Sequence, residues 1–198
     1  MIRLNEIIDA GRFDKADLFD GSLKIRDEYF VAVAEYINHL EQDKLQTWIK
    51  QYPNILKNIQ EEIKQEYNNQ NAIECWRGLH FFYEGRELVK EMWRLYQQEV
   101  NSVFDLVGFA VTTTSWSTDY QVAKGFANEK NKCGILIKAI IPIEQIVFAH
   151  RLISRVVSHE KIGIESFGTL VDREREVTAF GTVNSCKIIE KFDRTLDW

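Results

Sequence analysis

Two glutamates separated by one residue, Glu174 and Glu176, stand at the mouth of the apolar run Val177-Thr178-Ala179-Phe180. Side chains alternate between the faces of a strand, so this spacing aims both carboxylates at one side. Like charges held side by side repel. A fold that keeps them needs a cationic partner, a raised pKa on one of them, or a chemical use for both. Two further polar groups fall at expected strand ends. Trp76-Arg77-Gly78 sets a guanidinium beside a glycine that lets another group approach the backbone, and residues 112–119 form a dense hydroxyl cluster ending in Ser117-Thr118-Asp119. Each has an ordinary explanation on its own: a surface ion pair, a cap and turn, or a charged edge that guards a strand.

The elements that must position these groups divide the chain near residue 70. Before it the apolar spacing is helical. Residues 1–26 read as a short helix and loop broken by Gly11 and Gly21, and from Asp27, a suitable N-cap, Phe30, Val33, Ile37 and Leu40 recur at three and four. Leu45, Trp48, Ile49 and Tyr52 continue the pattern until Pro53, and Ile55, Ile59, Ile63 and Tyr67 mark a third helix. After the polar stretch 68–71 the character changes. Residues 72–78 predict a strand ending at Gly78, followed by a helix through Leu88, Met92, Leu95 and Tyr96. Phe109-Ala110-Val111 precedes the hydroxyl cluster, and a short helix carries Val122 and Phe126 on one side. A strong strand spans 134–141 and ends at Pro142; further strands are expected at 147–149, 177–180 and 186–189. Strands interrupted by a few helices, without regular alternation, indicate an α+β fold. The expected domains are a helical region over residues 1–70 and a core over 71–198.

Composition narrows the class. A chain of 198 residues with 45% hydrophobic and 28% charged residues and two prolines is a well-ordered globular protein, long enough for a sizeable core. The net charge of −5 argues against avid non-specific binding to nucleic acid and leaves a local basic cleft open. Cys75, Cys133 and Cys186 are an odd number without paired spacing, which favours reduced thiols in a cytoplasm; Cys75 and Cys186 suit buried strands and Cys133 an exposed loop. The four histidines are scattered, so no metal is expected. No charged-then-apolar leader and no apolar run of about 20 residues is present, so neither secretion nor a membrane is expected. A Rossmann or P-loop glycine motif is also missing.

The order of the three polar features resembles the mono-ADP-ribosyltransferases of the Arg–Ser–Glu class. That family carries an arginine strand, a Ser-Thr-Ser strand and a Glu-x-Glu or Gln-x-Glu strand. Here the matching residues are Arg77, Ser117-Thr118 before the helix Val122-Ala123-Lys124-Gly125-Phe126-Ala127, and Glu174-Arg175-Glu176. The likeness covers roughly residues 72–190, and the small size and helical N-terminal part also resemble bacteriophage enzymes that modify host proteins. It implies a core of two packed, mostly antiparallel sheets, NAD as co-substrate, no metal, and a protein partner bearing an acceptor arginine.

Carried onto this sequence, the resemblance gives Arg77 a phosphate of NAD, Gly78 the nicotinamide amide through its backbone, and Phe126 a place beside the dinucleotide. Ser117 and Thr118 would fix the active-site strand. Glu176 would be the catalytic glutamate, bonding the ribose 2′-hydroxyl and stabilising charge on the sugar, and Glu174 would face the acceptor. A glutamate at that position goes with arginine modification, because a carboxylate can pair with a guanidinium and accept its proton. Phe167, on the turn before the pair, would contact the target, and the loop 128–132 would close over NAD. Asp119 departs from the third serine of the motif and suits a helix N-cap instead. Two other classes share parts of this pattern: an NAD glycohydrolase or a transferase acting on nucleic acid, and a binding module of the same fold without catalysis.

Overall fold

A computed structural model describes residues 16–39, 42–81, 94, 99–102, 113–130, 132–153, 173–181 and 183–193. The expected helix at 88–96 apart from Arg94, the run 109–111, the acceptor turn with Phe167 and the piece before residue 16 lie outside those residues. A 3-10 turn, Ala16–Phe19, leads into α1 (Leu23–His39), which begins a turn earlier than the spacing from Asp27 suggests. Ser22 and not Asp27 caps it: the Ile25 N–H donates to Ser22 Oγ at 3.3 Å and the Arg26 N–H to the Ser22 carbonyl at 3.2 Å. Asp27 instead pairs with its neighbour Arg26. Loss of an N-cap hydroxyl typically costs about 1 kcal/mol, so Ser22→Ala is expected to lower the melting temperature by about 2–4 °C. An unchanged thermal midpoint would leave the cap without energetic weight.

α2 (Gln42–Gln51) and α3 (Pro53–Glu66) follow, separated by Tyr52, which leaves the helical region before proline at φ −125° and ψ 53°. Each buries the stripe read from the sequence: Leu45, Trp48 and Ile49 on α2, and Ile55, Ile59 and Ile63 on α3. Asn68 and Asn69 then reverse the chain with φ near +58° and +59°, a region that asparagine tolerates better than most residues.

The strands are β1 (Ala72–Phe81), β2 (Glu99–Ser102), β3 (Thr113–Ser117), β4 (Cys133–Pro142), β5 (Ile146–Ala149), β6 (Glu176–Phe180) and β7 (Asn184–Asp193). β2 was not foreseen. All pair antiparallel in the order β2-β7-β4-β1-β3-β6-β5. The two packed sheets expected are, among the described residues, one seven-stranded sheet. It is pinched, however. β1 pairs with β4 along ten residues but meets β3 at one register pair, Trp76 with Ser117.

β1 also runs past Gly78, where an end was expected. Gly78 pairs with Leu136 and the ladder continues to Phe81 opposite Cys133, so Arg77 sits within the strand instead of at its tip. The glycine serves the helix α4 (Tyr120–Ala127). A Cβ on Gly78 would lie 2.0 Å from the Ala123 carbonyl oxygen, and one on Gly134 of β4 would lie 1.9 Å from that of Ala127.

The layers follow from strand alternation. Ile73, Cys75, Leu79 and Phe81 of β1 and Ile135, Ile137, Ala139 and Ile141 of β4 share one apolar cluster with α1, α2 and α3. Trp76 and Leu136 point the other way and pack with Ala123 and Ala127 of α4. The N-terminal helices therefore share one core with the sheet. Polar ties add to this packing: the Tyr29 hydroxyl donates to the Val147 carbonyl at 2.7 Å, and Gln60 donates to the Glu144 carbonyl at 2.7 Å. Beyond β5 a short α5 (His150–Ile153) covers the end of α3. Cys75, Cys133 and Cys186 are buried thiols; Cys133 opens β4 and is not the exposed loop thiol its glycine neighbour suggested. Among the described residues no helix is long and apolar enough to cross a membrane.

Candidate active site

The pinch between β1 and β3 is where the three polar features meet. Arg77 projects from β1 toward α1, and its Nη1 donates to the Ser115 carbonyl of β3 at 3.0 Å. Burial lowers its pKa, while the Tyr36 phenol and the Glu176 carboxyl push it back up. A guanidinium stays charged in proteins and carries five N–H donors. Arg77 makes no salt bridge among the described residues. It is thus a charged donor committed to one carbonyl, on a cavity wall.

Glu176 opens β6 directly opposite Ser117 of β3 and is only 4% exposed. Thr178 Oγ1 donates to its Oε1 at 3.2 Å, and the Ser115 side chain also bonds it. Burial raises its pKa above the ordinary glutamate value; the two hydroxyls and Arg77 oppose this, and Glu174 adds to it. A desolvated carboxylate held by hydroxyls and faced by a guanidinium is fixed in place with its charge little screened.

Glu174 reaches the same cavity by another route than the one read from the sequence. Arg173 and Glu174 are helical, and Arg175 has φ 52°, so Glu174 and Glu176 are not successive residues of one strand face. A turn in the left-handed region, and not the pleat, brings the carboxylates together. Ser117 and Thr118 hold that turn. Ser117 Oγ donates to the Glu174 carbonyl at 2.7 Å and accepts from the Asp119 N–H at 3.0 Å. The Thr118 N–H and Oγ1 both donate to the Arg175 carbonyl, at 3.0 and 3.3 Å. Asp119 caps α4 as expected, accepting from the N–H groups of Gln121 and Val122 at 2.7 and 3.3 Å. Burial raises the Glu174 pKa, and Arg173 Nη2, 3.7 Å from its Oε1, opposes this. With Arg173 73% exposed, water screens that pair heavily.

These groups line a cavity of about 220 Å³. Its polar wall holds Arg77, Ser115, Ser117, Glu174 and Glu176; its apolar wall is built by Ile37 of α1, Trp76 and Leu79 of β1, and Ala123 and Phe126 of α4. Gly78 lines it through its backbone, and Phe126 is 41% exposed at the rim. Thr118 acts through the turn and is not part of the wall. Glu129, in the segment expected to close over a ligand, bridges His80 Nδ1 at 3.2 Å and Lys132 Nζ at 2.9 Å. Among the described residues no group of three or more His, Cys, Asp or Glu side chains is placed to hold a metal.

Sequence reasoning missed Ser115, Tyr36, Ile37 and Trp76. Ser115 was within reach, because it precedes Ser117 by two and so shares its strand face. Tyr36 and Ile37 come from a helix with no local mark of the site; only the packing of α1 on the sheet brings them there. Comparison with protein-family models, curated proteins and solved structures finds no match to this chain.

Proposed function

We propose that this chain is an NAD-dependent mono-ADP-ribosyltransferase that transfers ADP-ribose to an arginine side chain of a protein and releases nicotinamide, with an ADP-ribosyltransferase-like core and a reducing cytoplasm as its working place. The supporting observation is one cavity that gathers Arg77, Ser117, Glu174 and Glu176 from three separate strands and a turn. The donor set fits NAD: a guanidinium uncommitted to any carboxylate among the described residues suits phosphate oxygens, and an apolar wall with Trp76 and Phe126 suits an aromatic amide. Enclosed ligand sites usually measure about 300–1,000 Å³, so the smaller cavity would enclose the nicotinamide and its ribose and leave the adenosine end outside.

NAD supplies an N-glycosidic bond whose electron pair leaves with nicotinamide. Arg77 holds the pyrophosphate and fixes the ribose over the pocket. Glu176, dry and held by Ser115 and Thr178, faces the positive charge that develops on the sugar, a stabilisation realised only as the bond breaks. Glu174, less buried and carried on the turn, meets the incoming guanidinium and takes the proton that its nitrogen loses as the new C–N bond forms. Its raised pKa suits a base better than an unperturbed carboxylate would.

The test is incubation of the protein with labelled NAD and bacterial lysate, followed by mass spectrometry of modified peptides. ADP-ribose on arginine is expected. Labelled nucleic acid or free ADP-ribose alone would replace the protein acceptor, and no nicotinamide release at all would overturn the enzymatic reading. Glu174→Gln is expected to reduce arginine modification by about a hundredfold or more while sparing slow hydrolysis of NAD. Equal loss of both, quantified as adduct and free ADP-ribose in one reaction, would assign Glu174 to the NAD chemistry instead of the acceptor.

A further inference from the structure

We propose that Tyr36, from the helical N-terminal part, is a positioning residue of the active site, holding the Ser115 hydroxyl so that its hydrogen points at the Glu176 carboxylate; its part in catalysis rests on the transferase proposal. The two hydroxyl oxygens of Tyr36 and Ser115 lie 3.1 Å apart, and Ser115 also bonds Glu176. A serine hydroxyl has one hydrogen and an ionised carboxylate only accepts. The structure orients this contact with Ser115 Oγ donating to the phenol; once Glu176 is ionised, the Ser115 hydrogen turns to the carboxylate and the phenol must supply the hydrogen between the two hydroxyls. The chain therefore runs from Tyr36 through Ser115 to Glu176, each bond polarising the next.

The phenol is well placed to remain a donor. Tyr36 is 2% exposed, and burial raises its pKa, although Ser115 and Arg77 pull it down. Its ring is clamped in the core that α1 shares with the sheet, so the hydroxyl position is set by packing more than 35 residues away in sequence from any strand of the site. The charged and titratable groups around Glu176 are Arg77 from β1, Glu174 from the preceding turn and Tyr36 from α1, with Ser115 of β3 and Thr178 of β6 as neutral donors. The hydrogen bond of Tyr36 goes to Ser115 and not to Glu176, although the phenol also lies within electrostatic range of that carboxyl.

Tyr36→Phe keeps the ring and removes the donor. Without it the Ser115 hydroxyl is no longer aimed, the ionised form of Glu176 loses support, and its titration moves to higher pH. Nicotinamide release by Tyr36→Phe should show kcat roughly tenfold lower with the KM for NAD unchanged, and the acid limb of its pH profile displaced upward. In a Ser115→Ala background the same substitution should cause no further loss, because it acts through that hydroxyl. Independent, multiplying losses in the double variant, or an acid limb that does not move, would overturn the proposal. A second readout needs no activity: the pH dependence of the unfolding free energy, with Glu176→Gln as the blank, reports the Glu176 titration directly. Tyr36→Phe and Ser115→Ala should both shift it upward, and an unmoved titration in Tyr36→Phe would overturn the positioning role. A wild type that releases no nicotinamide would remove the transferase reading, while the titration would still decide whether Tyr36 acts on Glu176.

Discussion

Glu176→Gln is expected to lower nicotinamide release by about a thousandfold or more, the scale on which one preorganised electrostatic group acts, and to make the folded protein more stable at neutral pH. The two effects share one cause. Burial disfavours the charged carboxyl, so its folded pKa lies above its unfolded value. Such a group contributes stability below the unfolded pKa and loses it as pH rises through the folded pKa. At neutral pH the wild type therefore holds an unfavourable buried charge that glutamine does not carry. The unfolding free energy should therefore rise near pH 7, and the gain should shrink toward zero in acid. Chemical denaturation at several pH values reads this directly. A variant that is inactive and also destabilised at pH 7 would mean that the carboxylate is a structural anchor, and full activity would remove Glu176 from catalysis. Under the proposed reaction, the same raised pKa should make nicotinamide release fall on the acid side at a pH above the ordinary glutamate range.

The second large effect belongs to a residue with no side chain. Gly78→Ala would set a methyl 2.0 Å from the Ala123 carbonyl oxygen, 2.6 Å from the Ala127 nitrogen and 2.9 Å from the Phe126 Cβ. Two of these are backbone atoms of α4 and cannot rotate away. The helix must lift, and it carries with it Ala123 and Phe126 of the cavity wall and the Asp119 cap that adjoins the Ser117 turn. Overpacking commonly costs 1–3 kcal/mol, and a contact this close between backbones should reach about 3 kcal/mol, or roughly 6–12 °C in melting temperature. Nicotinamide release per folded molecule should fall as well. A thermal midpoint within a degree of wild type would show that α4 can shift at little cost.

Gly78 also shows how far the sequence could be read. That a group approaches its backbone closely was legible; that this group is the backbone of α4 was not. Local pattern reached the helices of the N-terminal third and most strands, because apolar periodicity is a property of a few consecutive residues. It placed the start of α1 too late, since Ser22 lies outside the apolar repeat and only the cap bond to Ile25 marks it. It paired Glu174 with Glu176 by strand alternation, and the two do share one cavity, but by another geometry; φ at Arg175 decides the matter, and arginine gives no hint of it. Arg77 and Ser117 were recognisable by order along the chain. Tyr36 was not, because the contact to Ser115 spans 79 residues and depends on how a helix packs on a sheet.

The single register pair that joins β1 to β3 has a bearing on how the protein matures. The bonds that tie one strand of the pocket to another cross long stretches of chain: 38 residues separate Arg77 from Ser115, and 57 separate Ser117 from Glu174. Contacts so distant in sequence are slow to form, because the entropy of closing the intervening loops is lost before the contact repays it. Helices and the β1–β4 ladder can exist before the seam closes, but the pocket cannot. The closed pocket, and with it any chemistry the pocket supports, is thus a late property of this chain, absent from partly folded molecules however much secondary structure they hold.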